Sequence, residues 1–225
     1  MPEQYSVKKE LRSEWYLLLI LLLVFLISWV VYPSLPEKIA THWNVEGEVD
    51  GYSNRFTGVF FIPLLTLAFY LLFIFMPLID PRRKNYPEFI KTYRLVKLAF
   101  VLFMTGLHLL TLAFNLGYDI DISRCVILLL GILFTLLGRG LPRIRHNYFI
   151  GIRTPWTLAS PSVWTQTHQL GGKLFFWSGL AIIFGTLLPD RPRFWLMMVL
   201  VLGCTLVATV ASYIYFRREE NGEKE

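Results

Sequence analysis

Two short stretches of this chain hold most of the side chains suited to recognising or transforming another molecule. The first, "HWNVEGEVDGY", residues 42–52, sets an imidazole, an indole and an amide side by side at His42, Trp43 and Asn44, followed by Glu46, Glu48 and Asp50. One histidine with three carboxylates, and no second histidine or cysteine, is a poor ligand set, so no metal is expected there. Two readings remain open: a recognition surface, or interfacial anchors in which Trp43 and Tyr52 sit at the headgroup level. The second stretch, "NYFIGIRTPWTLASPSVWTQTHQLGG", residues 147–172, is polar, basic and Trp-bearing between two apolar runs. In it Ser160 fits a helix N-cap, Pro161 the first helical position and Gly171 the stop. Trp164 and His168, four apart, then share one helix face. Such a helix, with Trp156 before it, is expected to lie in the headgroup layer as an interfacial strap, with a docking or switching surface as the second reading.

Other chemistry has little to stand on. There is no HExxH, GxSxG, P-loop or glycine-rich nucleotide loop, and no nucleophile–base pairing, so neither an enzyme nor a cofactor is expected. Cys125 and Cys204 lie far apart within apolar runs and suit packing. His108, in "TGLHLLTLAFN" with Thr105, Thr111 and Asn115, is the one titratable group expected deep in an apolar run. Interhelical hydrogen bonding is the plainer role for it. A polar path past His108 and Asn115 supplies the alternative function, a small permease or efflux component.

The elements that position these stretches are membrane helices. Hydrophobic residues make up 55% of the chain, with 18 Phe and 7 Trp, and they come in blocks rather than in alternation. A spanning helix needs roughly 20 mostly apolar residues. Six stretches compete: Trp15–Tyr32, Gly58–Ile79, Leu95–Leu116, Cys125–Gly138, Leu174–Leu188 and Phe194–Phe216. The fourth and fifth are short, and snorkelling lysine or arginine at their ends would let them cross. With both termini inside, all but Lys38, Arg55, Arg124, Arg191 and Arg193 of the 22 Lys and Arg fall on the inner side, the positive-inside pattern. The net charge of +6 is therefore topological and implies no nucleic acid. Expected, then, is an all-α polytopic protein of the plasma membrane, with about six transmembrane helices, N-in and C-in, an ordered acidic outer loop and an interfacial cytoplasmic helix. A mildly acidic outer face would attract cationic peptides.

The 147–172 segment resembles the signature of the SdpI family of bacterial immunity membrane proteins. The outer "LPEKIATHWNVEGEVDGY" resembles the small uncharacterised domain that often precedes it. On this resemblance residues 1–94 form an N-terminal region of two spans and 95–225 an SdpI-like region of four. The resemblance implies protection of the host against a secreted, membrane-active peptide toxin, and in the best-known member a signalling role that holds an ArsR-type repressor at the membrane. Carried onto this chain, the outer motif positions are His42, Trp43, Asn44, Gly47, Asp50 and Gly51, expected to bind ligand. The inner ones are Asn147, Gly151, Arg153, Thr154, Pro155, Trp156, Trp164, His168, Gly171 and Gly172. The implied partners are the lipid bilayer, a cationic peptide outside and a repressor inside.

Overall fold

The computed structural model describes residues 5–222, so Lys224 lies outside the described residues. A short helix α1 (Val7–Ser13) leads into α2 (Trp15–Val31), a hairpin of β1 (Lys38–Trp43) and β2 (Val49–Asn54), then α3 (Arg55–Ile79) and α4 (Ile90–Asn115). The second half comprises α5 (Ile122–Gly140), the short α6 (Pro155–Ala159), α7 (Pro161–Gly185) and α8 (Asp190–Glu220). Among the described residues five helical stretches are long and apolar enough to cross a membrane, 15–34, 55–79, 83–115, 122–143 and 190–220; the expected run Leu174–Leu188 is not one of them by that measure. Trp29, Phe184, Leu187, Val199, Leu202 and Leu206 stand on the surface of the bundle, a surface that suits lipid and not water. The chain is thus an all-α polytopic membrane protein.

The helices begin where their caps dictate. Asn54, Asp121 and Ser160 each accept a hydrogen bond from a backbone N–H three residues on, opening α3, α5 and α7. Two proline residues, Pro63 and Pro77, lie inside α3 without ending it, because neighbouring helices bury the backbone they expose.

The end of α7 corrects the sequence reading. The helix does not stop at Gly171 to leave a separate interfacial helix; it continues unbroken to Gly185, so the polar motif and the fifth apolar run are one element. Its two glycines are contacts. A Cβ at Gly172 would lie 2.5 Å from Pro142 Cγ, and one at Gly171 would lie 2.4 Å from Ile152 Cδ1. Further along, Gly138 of α5 meets the α7 backbone at Gly172 and Phe176, and Gly179 of α7 meets the α5 backbone at Gly131 and Thr135. Small residues seven apart on each partner bring two antiparallel backbones together, the usual basis of helix association in lipid.

The hairpin closes one end of the bundle. β1 and β2 pair antiparallel, Lys38 opposite Asn54 and Trp43 opposite Val49, with irregular register around His42. Its inner side is fastened firmly. The Ala40 amide donates to Asn115 Oδ1 (2.8 Å), Asn115 Nδ2 donates back to the Ala40 carbonyl (3.1 Å), and Ile39 is fully buried against Gly58. Asn115→Ala is expected to leave the helices intact and speed hydrogen exchange in 38–43 relative to α3, a change readable by mass spectrometry.

At the opposite end lies a charged core that the apolar pattern concealed. Lys97, counted only as an inner-side charge at the start of the third apolar run, is fully buried in α4. Its Nζ lies 2.7 Å from Glu14 Oε2, off the hydrogen-bonding angle, and 3.4 Å from Glu10 Oε2, while Arg94 grips Glu10 through both carboxylate oxygens. Burial raises the Glu14 carboxyl above its usual range despite Lys97. Burial also works upward on Glu10, but the Arg94 hydrogen bond and the Lys97 charge prevail and hold it below that range.

Candidate functional site

A cavity of about 630 Å³ lies beneath the hairpin. Its floor and walls come from four helices, through Ile62 of α3, Leu107 and Leu110 of α4, Val126 of α5 and Met197 of α8. With a rise of about 1.5 Å per residue, these positions carry the cavity roughly 10 Å down from the hairpin ends of the helices. The hairpin forms the roof, and there Thr41, His42, Asn44 and Asp50 supply polar atoms. An apolar hollow of about 300–1,000 Å³ with a few convergent polar groups is the usual form of a ligand site.

The six outer motif positions divide into lining and framework. His42 Nδ1 and Asp50 Oδ1 approach to 2.5 Å across the hairpin, both largely solvent-facing. The Trp43 ring packs edge-on against Phe114 at 5.3 Å between centroids, and its Nε1 is buried without a hydrogen-bond partner. Packing on α4 beneath the hairpin gives this indole a place in the cavity wall. Asn44 builds the turn: its Oδ1 accepts from the Glu48 amide and its Nδ2 reaches Glu48 Oε2. Gly47 takes φ +80° at the tip, and Gly51 sits opposite His42 in the strand register.

Sequence reasoning missed the apolar walls, because they come from separate helices and carry no local pattern. It missed the tip's second attachment for the same reason. Glu46 Oε1 accepts from Arg191 Nη2 at 3.1 Å, an exposed pair joining the hairpin to α8. Nearby, Arg193 has a fully buried side chain between Asp121 and Asp190 and ties α8 to the start of α5.

The inner motif positions form a knot at the other end of the bundle, inward-turned for the most part. Asn147 is fully buried and all its polar atoms are used: Oδ1 accepts from the Phe149 and Ile150 amides, and Nδ2 donates to the Arg145 and Ile150 carbonyls. Gly151 has φ +119°, and a Cβ there would meet His168 Nε2 at 2.3 Å. The next amide, from Ile152, donates to that Nε2, which puts the His168 proton on Nδ1, donated to the Trp164 carbonyl. His168 is therefore neutral, with both nitrogens engaged. Its ring stacks on Trp164 at 4.0 Å, as their four-residue spacing foretold, and Trp164 Nε1 donates to the Ile144 carbonyl.

Thr154 and Thr157 form a reciprocal cap around Pro155 at the start of α6. Trp156 packs on Tyr213, and Ser160 donates to Glu219, so α8 is bound in as well. Arg153 is exposed and donates to the Tyr148 carbonyl. The expected strap is thus a buried brace. Its fastening to α3 runs through a residue that sequence reasoning passed over: buried Asp80 accepts from the Tyr148 amide and the Tyr86 hydroxyl. A lone carboxylate just past a span gave no signal. His146 lies tilted over Trp164, and burial, with the Arg82 charge, pushes its imidazole below the usual range.

His108 and Asn115, the residues of the permease reading, are both committed elsewhere. His108 Nε2 bonds Ser28 at 2.7 Å between fully buried side chains, and Asn115 holds the hairpin. Neither lines the cavity.

Residues 143–215 match the SdpI/YfhL protein family, and residues 19–67, which carry most of α2, the hairpin and the first half of α3, match a domain of unknown function designated DUF1648. The chain is similar to the immunity protein SdpI of Bacillus subtilis (strain 168), 29% identical over 201 residues that cover 89% of this chain and 94% of that protein. No solved structure matches it.

Proposed function

From the similarity to the SdpI/YfhL family, we propose the role of an immunity protein in the cell membrane, in which the hairpin end captures a secreted antimicrobial peptide of SDP-like kind. The hairpin faces outward and both termini lie in the cytoplasm, with the 25-residue α7 making a sixth crossing beside the five apolar stretches, in keeping with the distribution of lysine and arginine. The observation that carries this reading is the apolar cavity roofed by an acidic hairpin, with His42, Trp43, Asn44 and Asp50 at its lining. A cationic amphipathic peptide brings matching charge and matching apolar surface. Gly47 and Gly51 hold the shape of the roof.

The knot then acts as the cytoplasmic brace. Arg139, Arg143, Arg145 and Arg153 are exposed around it and offer a basic surface for an ArsR-type repressor, whose sequestration would report capture of the peptide. Binding would bias a bundle whose two ends are joined by the same helices.

The test is survival and membrane potential of cells lacking their own immunity protein, challenged with an SDP-like cationic peptide. Cells expressing the wild-type chain are expected to survive and hold their potential, and His42→Ala to lose much of that protection at unchanged protein level. Equal death with and without the inserted protein would sink the immunity reading for that peptide. For the signalling arm, Arg145→Ala combined with Arg153→Ala should abolish reporter induction while leaving protection intact; full induction would remove the repressor from the scheme.

A further inference from the structure

The hairpin is fastened to the bundle unequally. On the α3 and α4 side it is held by the paired hydrogen bonds between Ala40 and Asn115 and by Ile39 sealed against Gly58. At its tip the ion pair found among the described residues is that of Arg191 of α8 with Glu46 Oε1, both side chains solvent-facing, and a Cβ at Gly47 would meet Ser123 of α5 in ordinary contact range. Exposed ion pairs are weak and screened by salt, whereas a paired side-chain clasp on a buried residue's backbone amide and carbonyl is not readily given up. The tip is therefore the edge that lifts, and beneath it lie Val126 of α5 and Met197 of α8.

We propose that the cavity is a seat for one large apolar side chain of a cationic peptide, admitted under the hairpin tip when a basic residue of that peptide takes Glu46 from Arg191. This rests on the immunity reading and names what the same site selects: an apolar anchor flanked by a lysine or arginine. The walls favour hydrocarbon: Ile62, Leu107, Leu110, Val126 and Met197 offer nothing polar beyond a thioether, and of the two wall hydroxyls Thr111 is spent on the Leu107 carbonyl and Ser123 lies near the hairpin tip. The rim favours a cation, since Glu46, Glu48 and Asp50 cluster on the hairpin and its nearest positive charge at the tip is Arg191 itself. Depth favours a side chain over a whole helix, because the hollow ends about two helical turns below the hairpin, walled by four helices.

The experiment uses the full chain in lipid nanodiscs and, as probe, a short synthetic Lys/Leu peptide with one benzoylphenylalanine. Irradiation is expected to place the adduct on Met197 or Val126, and Val126→Trp, which fills the hollow, to remove it. Leu110→Trp fills the same space from another helix and guards against a misfolded first variant. Arg191→Gln frees the tip without removing Glu46 and should raise the labelling rate several-fold, with the wild type approaching it as salt rises. Adducts confined to lipid-facing Leu202 and Leu206, or unchanged by both tryptophan variants, would overturn the seat; Arg191→Gln at the wild-type rate at all salt concentrations would overturn the latch. The survival assay separates the two levels. Cells protected equally by wild type and Val126→Trp leave immunity standing and remove the seat, whereas labelling as expected without protection leaves the seat and removes immunity.

Discussion

Lys97→Met is expected to destabilise the protein by about 3–5 kcal/mol, because it removes one partner of a buried charge cluster and leaves the carboxylates behind. Lys97 and Glu14 are both fully buried, and Glu10 has little more exposure. In the intact protein Lys97 is shared between the two acids, and Arg94 serves Glu10 alone. The check is detergent-solubilised thermal unfolding of Lys97→Met, Glu14→Gln and the double variant. The double variant should recover much of the loss, since it retires the stranded acid along with its partner. Lys97→Met melting with the wild type would show that the cluster contributes nothing.

The same cluster has a pH signature. Glu10, held below the usual carboxylate range, adds stability that is present above its unfolded pKa and lost as pH falls through its lowered folded value. Glu14 is shifted the other way and binds its proton more tightly folded than unfolded, so its contribution falls as pH rises from the usual carboxylate range to its raised value. Glu14→Gln should therefore gain most, relative to wild type, at the neutral end of a melting series.

The second large effect concerns the α5–α7 seam. A Cβ at Gly138 would lie 2.3 Å from the Phe176 nitrogen and 2.8 Å from the Gly172 carbonyl oxygen, both backbone atoms that cannot swing aside. Gly138→Ala must push the two helices apart, at about 1–3 kcal/mol or more. Gly203→Ala is the matched control: it lies mid-helix in α8 with open space around it, and the helix should gain roughly 0.5–1 kcal/mol from alanine. Melting curves of the two variants should move in opposite directions. Parallel shifts would mean the seam is not a close contact in solution.

Local signals in the sequence held wherever a feature was made by near neighbours. The Ser160 cap, the ordered loop around Asp50-Gly51 and the shared face of Trp164 and His168 all follow from spacings of a few residues. The misreadings share a cause. Gly171 looked like a stop because, in water, a helical glycine exposes backbone and adds entropy. In lipid the same residue allows close approach of a second backbone, and Gly171–Gly172 does this against Ile152 and Pro142. Lys97 counted only toward the inner-side charge because its partners, Glu10 and Glu14, lie more than eighty residues away at the start of the chain. The cavity was invisible for a similar reason, being walled by residues from four helices that only the packed bundle brings together.

The fastening of the hairpin also orders its own assembly during synthesis. Its first hold, Ile39 against Gly58, lies within the opening two-helix unit and is available as soon as α3 emerges. Its second, Asn115, arrives with α4, and the tip's partner, Arg191, only with the last helix. Until α8 is made, the roof is hinged but unlatched and the cavity lacks its Met197 wall. A nascent chain stopped before α8 would present an open, apolar mouth, so synthesis of α8 both walls the cavity and supplies the latch over it.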